Sequence, residues 1–230
     1  MRISMKENKH GDKMKSVVSY PWRGKFGNWK YRGNCSGLLV KDLLEHFKPA
    51  LVFDPMEGSG TVGDVCREMN IRYIGKDLKK GFDLTGDALP DESPDFIFFQ
   101  PPYWNIIPYS DNKNDISNAG TYPEFMRKIN VCLSRLSGFL KEEGILCILI
   151  GDKRKEGKYY PLASDIAQEM KKFKEMEMKS ILVKVQHNTK SEGIDYKGKF
   201  IPIQHEYCLI YRKKKTGQTI LKLFEESFME

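Results

Sequence analysis

At 230 residues, with 40% apolar and 30% charged side chains, the chain suits one α/β domain with a sizeable core. Its longest apolar run, 145–150, is far too short to cross a membrane, and the first residues lack the apolar core of a signal peptide. Five scattered cysteines with no pair at metal spacing exclude a disulfide or zinc framework and point to a reducing, cytoplasmic setting.

The net charge of +7 is concentrated: residues 1–32 carry the whole excess, and the remainder balances. This segment interleaves cations with aromatics, from Tyr20, Trp22 and Arg23 to Trp29, Lys30 and Tyr31. Cations attract phosphates and flat rings stack on bases, so 1–32 reads as a basic, aromatic-rich N-terminal arm, with an ordered nucleic-acid-contacting segment expected over 17–32 and a solvated tail equally open for 1–16. A loop over 33–37 leads to an amphipathic helix over 38–47, with Leu39, Leu43, Leu44 and Phe47 at helical spacing. Pro49 stops it. The apolar run 50–53 then ends in Asp54-Pro55-Met56-Glu57-Gly58-Ser59-Gly60-Thr61, which reads as strand, glycine loop and helix (61–70). Such a turn brings backbone N–H groups and a helix N-terminus close to a ligand.

The second strand, 71–75, runs to Asp77, 23 residues past Asp54. That is where an acid meets ribose hydroxyls in nucleotide-binding α/β folds. Strand 95–99 runs into Gln100-Pro101-Pro102-Tyr103-Trp104. Prolines cannot continue a ladder, so this stretch builds a rigid aromatic ledge at a strand's C-terminal end. A polar loop over 105–120 follows, then a helix from the capping sequence Thr121-Tyr122-Pro123-Glu124 to about 141. A buried strand is expected over 144–150, and Tyr159-Tyr160-Pro161-Leu162 leads into a helix reaching about 173. Strands 180–187 and 205–212 form an antiparallel pair around a basic loop containing Lys197 and Lys199, and 219–228 is a short amphipathic helix.

The two motifs together resemble those of the S-adenosyl-L-methionine (SAM) dependent DNA amino-methyltransferases, whose cofactor loop reads roughly D-P-F-x-G-S-G-T and whose catalytic tetrapeptide reads (D/N/S)-P-P-(Y/F/W). The likeness extends over roughly 31–212. It implies a Rossmann-like class I methyltransferase fold, with a seven-stranded, mainly parallel sheet, an antiparallel last strand and helices on both faces. The methyltransferase domain would span 33–215, with the C-terminal helix at 216–230. It also implies SAM as cofactor, held by Asn34, Ser36, Asp54, Pro55, Glu57, Gly58, Gly60, Thr61, Asp77 and Asp87, with Asp87 accepting from the adenine amino group. The alternative for Asn34 and Ser36 is a plain helix N-cap.

In the catalytic motif, Gln100 and the Pro101 carbonyl would accept from the target amine, Pro102 would stiffen the turn, and Tyr103 with Trp104 would stack on a flipped base. Trp22, Arg23, Trp29, Lys30, Lys197 and Lys199 would contact nucleic acid. No metal is implied. DNA is the expected substrate, with adenine N6 preferred to cytosine N4. Gln100 departs from the family pattern, being one methylene longer than Asn and uncharged, and no recognition domain fits between the motifs. An RNA base methyltransferase, a protein glutamine methyltransferase and a non-catalytic SAM or nucleic-acid-binding subunit therefore stay open. Sequence reading would come from the arm, the loops, a homodimer mate or a separate recognition subunit.

Overall fold

Side chains along a strand alternate between faces, so a sheet covered on both sides needs apolar residues at every position of its central strands. Ile145–Ile150 (β5) and Phe96–Phe99 (β4) meet that requirement, and every residue of both is buried. The computed structural model describes residues 14–187 and 200–217. In chain order the remaining elements are β1 (Val17–Ser19), α1 (Gly37–Phe47), β2 (Leu51–Asp54), α2 (Thr61–Glu68), β3 (Arg72–Gly75), α3 (Tyr122–Phe139), β6 (Lys153–Lys155), β7 (Lys158–Tyr160), α4 (Leu162–Met170), β8 (Met176–Val185) and β9 (His205–Lys213).

Seven strands form one sheet in the order β1-β8-β9-β5-β4-β2-β3. β9 runs against both its neighbours, β5 and β8, while the other pairings are parallel. This is the class I methyltransferase architecture that the sequence led us to expect. On one face, Leu39 and Leu43 of α1 and Val62 and Val65 of α2 pack against Val52, Phe96, Phe98, Cys147 and Leu149. On the other, Phe125, Ile129 and Leu133 of α3 and Leu162 and Ile166 of α4 meet Phe53, Ile97, Phe99, Leu146 and Ile148. All five cysteines are free and buried within these layers.

Several boundaries differ from the sequence reading. Val17–Ser19, inside the expected arm, is one of the sheet's two edge strands, paired in parallel with β8. Residues 153–160 form a separate two-stranded hairpin, so Tyr159 and Tyr160 lie on a strand and α4 begins only after Pro161. β8 starts at Met176, with an irregularity between Met178 and Ser180. The capping sequence holds: Thr121 Oγ1 accepts from the Glu124 N–H at 3.3 Å. The expected helix over 219–228, and Lys197 and Lys199 in the 188–204 loop, lie outside the described residues. Among the described residues no helix is long and apolar enough to cross a membrane.

Candidate active site

The parallel strands β2, β3, β4 and β5 all deliver their C-terminal ends to one edge of the sheet, where open α/β folds bind ligands. A cleft of about 420 Å³ opens there, a size that suits a small-molecule ligand. Two chain segments form its walls.

The first wall is the glycine loop. Lys76 donates its N–H to the Asp54 carbonyl at 2.9 Å, and the Glu57 N–H donates to the Lys76 carbonyl at 3.0 Å, which ties the loop to the exit of β3. Gly58 and Gly60 both adopt left-handed backbone, at φ 45° and 78°, a region that costs other residues about 1 kcal/mol or more. At Gly58 a Cβ would also stand 3.0 Å from the Tyr31 ring. The Gly58 N–H donates to Asp77 Oδ2 at 3.0 Å and the Lys79 N–H to Asp77 Oδ1 at 2.9 Å. Each carboxylate oxygen retains a further acceptor site.

The outside of this loop is wrapped by the N-terminal segment. Asn28 N–H donates to the Ser59 carbonyl at 3.0 Å, and Gly27 N–H donates to Asp64 Oδ2 at 2.9 Å. Tyr31 stacks on Tyr109, with ring centroids 6.1 Å apart, and both line the cleft.

The second wall is the Gln-Pro-Pro-Tyr stretch after β4. The Gln100 amide Nε2 donates to the Gly33 carbonyl at 2.9 Å. A carbonyl can only accept, so the amide's orientation is fixed by chemistry and Oε1 turns away from Gly33. Oε1 has no hydrogen-bond donor among the described residues. The Tyr103 hydroxyl donates to Glu206 Oε1 at 2.7 Å, and Lys184 Nζ donates to Glu206 Oε2 at 2.6 Å. Glu206 and Lys184 are only 7% and 9% exposed, so this is a buried ion pair in which one carboxylate oxygen meets the lysine and the other anchors the motif tyrosine. Burial, reinforced by the Glu206 carboxylate, pushes the Tyr103 phenol well up, and it stays protonated. Burial opposes the Lys184 charge, yet Glu206 holds its ammonium above the ordinary range.

The cleft is acidic. Asp54, Glu57, Asp77, Asp83, Asp115, Asp152 and Glu206 line it, against Lys79 as the lysine of the lining. Burial pushes the Asp54 carboxyl well up, although the Met56 N–H donates to it at 3.1 Å. Glu57 is engaged by Lys80 Nζ at 2.6 Å and by the Tyr73 hydroxyl at 3.2 Å. Such a lining favours a cationic ligand.

The cleft gathers Asn34, Asp54, Pro55, Glu57, Gly58, Thr61, Asp77 and the stretch from Gln100 to Tyr103. Gly60 caps α2 without lining it. Ser36 sits at the N-cap of α1, buried, with Oγ 3.5 Å from the Arg23 carbonyl. Asp87 closes a turn by accepting the Asp83 N–H at 2.7 Å, and Asp83 takes the place on the cleft.

Trp104 is a correction. It is 4% exposed, its Nε1 donates to the Ala119 carbonyl at 2.8 Å, and so it offers no free face to a base. Arg23 spends a donor on the Phe26 carbonyl at 2.6 Å, bracing the wrap. Trp22 and Trp29 are exposed at 65% and 74%, with Lys30 Nζ 5.4 Å from the Trp29 ring, outside the cleft. Sequence reading missed Gly33, Tyr109, Lys184 and Glu206. The last two were findable once the strands were paired, because the register sets Lys184 opposite Glu206.

A sequence profile described as DNA methylase matches residues 95–228, more than half of the chain. The chain belongs to this DNA methylase family. The matched span begins just before β4, so it includes the Gln-Pro-Pro-Tyr wall, and the glycine loop precedes it. No curated protein sequence matches significantly. Among solved structures, the chain is similar to a proposed DNA modification methylase from Thermus thermophilus, complexed with S-adenosyl-L-methionine, at 19% identity and TM-score 0.42, covering 71% of this chain and 56% of that one. It is also similar to TrmN from Thermus thermophilus (14%, TM-score 0.44, 79% and 50% covered). A third is a proposed class I S-adenosylmethionine-dependent methyltransferase from Listeria monocytogenes (14%, TM-score 0.49, 78% and 59%). The chain thus spans between half and three fifths of these three structures.

Proposed function

We propose that the chain is a SAM-dependent methyltransferase acting on an exocyclic amino group of a DNA base, adenine N6 in preference to cytosine N4. The observation that carries this reading is the Gln100 amide, held by the Gly33 carbonyl so that its Oε1 is left as an acceptor on the wall of the cleft. The residues present fit the cofactor. The acidic lining suits its sulfonium and ammonium charges, Asp77 retains acceptor sites for a ribose diol, and Gly58 lets the backbone come close to the ligand. SAM supplies a methyl group on a positively charged sulfur, which is a good leaving group.

The protein's part is positioning. An exocyclic amine is a weak nucleophile because its lone pair is delocalised into the ring. Gln100 Oε1 and the Pro101 carbonyl accept hydrogen bonds from its two N–H groups and draw the nitrogen towards tetrahedral geometry, and the proton displaced by the methyl group leaves to solvent. Pro101 and Pro102 keep that turn stiff, and Tyr103, fixed at its hydroxyl by Glu206, presents its ring to the base.

The test uses purified protein, methyl-labelled SAM, and unmethylated duplex DNA and total RNA in parallel, with products digested to nucleosides for mass spectrometry. Label in N6-methyladenine from DNA is expected. Label confined to RNA, or none with SAM still bound, would overturn the assignment.

A further inference from the structure

We propose that the β6–β7 hairpin is a DNA-backbone clamp beside the cleft, gripping phosphates that flank the target nucleotide. The inference rests on the DNA reading above and names the surface that serves it.

The hairpin is a rigid platform. Lys153–Lys155 and Lys158–Tyr160 pair antiparallel around Glu156 and Gly157, whose φ values of 51° and 79° fit the tight two-residue turn that matches strand twist. Its register places Lys155 directly opposite Lys158, and like charges facing each other across a ladder are destabilising. Among the described residues, none of Lys153, Arg154, Lys155 and Lys158 has a carboxylate within ion-pair distance. Asp152 is engaged by the Tyr159 hydroxyl and the Ala163 N–H, and Glu156 at the turn pairs with none of them. Some cations elsewhere are paired: Lys80 meets Glu57, Lys41 meets Glu68 and Lys172 meets Glu169.

Aromatic rings flank the four cations instead. Lys153 and Lys155 stand 4.8 and 5.1 Å from the Trp104 ring, and Lys158 stands 5.2 Å from Tyr160. Lys153, the buried one, also donates to Asn105 Oδ1 and serves as the hairpin's root. Arg154 lies 5.4 Å from Tyr159 and 4.7 Å from Phe200. Its guanidinium is thus held by ring faces while none of its N–H donors meets an acceptor among the described residues. A guanidinium so held offers a preset fork for phosphate oxygens. Tyr159 and Phe200 are 40% and 43% exposed beside it.

Position completes the case. Gly151 and Asp152 belong to the cleft wall, and a strand rises about 3.3 Å per residue. Arg154, Lys155 and Lys158 therefore stand within roughly 10 Å of the cleft by that rise, the distance of the phosphates on either side of a nucleotide drawn into it. The acidic interior repels a backbone; the hairpin beside it attracts one.

The test measures binding of the chain to a fluorescent unmethylated duplex and, in parallel, to a fluorescent RNA of the same length, across a salt series, by anisotropy. The variants are Arg154→Gln/Lys155→Gln/Lys158→Gln and, separately, Glu156→Gln. The triple variant should bind at least about tenfold more weakly, and its slope of log K against log salt should shrink by roughly 2–3, since each phosphate contact contributes about 0.9. SAM affinity should not move, which also shows that the variant folds. Glu156→Gln should tighten binding, a gain that misfolding cannot mimic. Duplex binding by the wild type with unchanged affinity and slope in both variants would overturn the clamp and leave the DNA reading standing. Wild-type binding to RNA alone, or to neither, would overturn the DNA reading itself.

Discussion

The two walls of the cleft are held in different ways. The glycine loop is fixed chiefly by backbone: Asn28 to Ser59, Glu57 to Lys76 and Gly60 to Glu57 are all main-chain bonds. The Gln-Pro-Pro-Tyr wall is fixed by side chains that reach across the chain, Gln100 to Gly33, Tyr103 to Glu206 and Trp104 to Ala119. A wall built from backbone tolerates many side chains but no added bulk. A wall built from side chains fails when a single partner is removed. Substitutions at the first should therefore act on cofactor binding, and substitutions at the second on turnover and stability.

The sharpest break is Glu206→Ala. It leaves the Lys184 ammonium buried without a partner and the Tyr103 hydroxyl without an acceptor, a loss of about 3–5 kcal/mol readable in denaturant unfolding. Replacing both charges, as Lys184→Met/Glu206→Leu, should recover most of that stability but not turnover, because Tyr103 still has no anchor. A double variant with wild-type turnover would show that the pair positions nothing.

At the other wall, Gly58→Ala combines a left-handed backbone with a contact 3.0 Å from the Tyr31 ring. Calorimetric titration should show SAM binding weakened about tenfold, from roughly 1–2 kcal/mol of strain, with single-turnover chemistry at saturating cofactor little changed. A rate loss with intact binding would blur the distinction between the walls.

The smallest effect concerns Asp54. Its carboxyl is raised by burial, so the stability it contributes is complete below its ordinary value near 3.8 and is lost as pH rises through the folded value. Asp54→Asn should therefore melt higher than wild type at pH 8, at about 2–4 °C per kcal/mol gained, with the difference closing towards pH 4. A melting advantage that does not vary with pH would remove burial of the charge as its cause.

The same contrast explains what could be read from the sequence. The glycine loop and the Asp77 that accepts from Gly58 were legible because their residue types are demanded by backbone geometry. β5 was legible because six consecutive apolar residues have few other uses. The braces of the Gln-Pro-Pro-Tyr wall were not legible, since Gln100 and Gly33 lie 67 positions apart and Tyr103 and Glu206 lie 103 apart. Trp104 misled because an aromatic next to the motif looks the same whether it faces the cleft or the core. The β6–β7 hairpin was hidden because Lys-Arg-Lys and Lys-Tyr-Tyr carry no apolar alternation. Val17–Ser19 was too short to stand out from a basic segment.

The central claim is that Gln100 is the working acceptor and that Gly33 aims it. Single-turnover methyl transfer to duplex DNA, with SAM affinity measured alongside for wild type, Gln100→Ala and Gln100→Glu, tests it most directly. The account predicts that Gln100→Ala slows transfer by roughly 10²–10³-fold, a loss of the size seen when one preorganised hydrogen-bonding group is removed from a site, with cofactor affinity within about threefold. Gln100→Glu should also be slower than wild type, because a carboxylate cannot donate to the Gly33 carbonyl and turns out of place. Wild-type rates in Gln100→Ala, or a gain in Gln100→Glu, would contradict it.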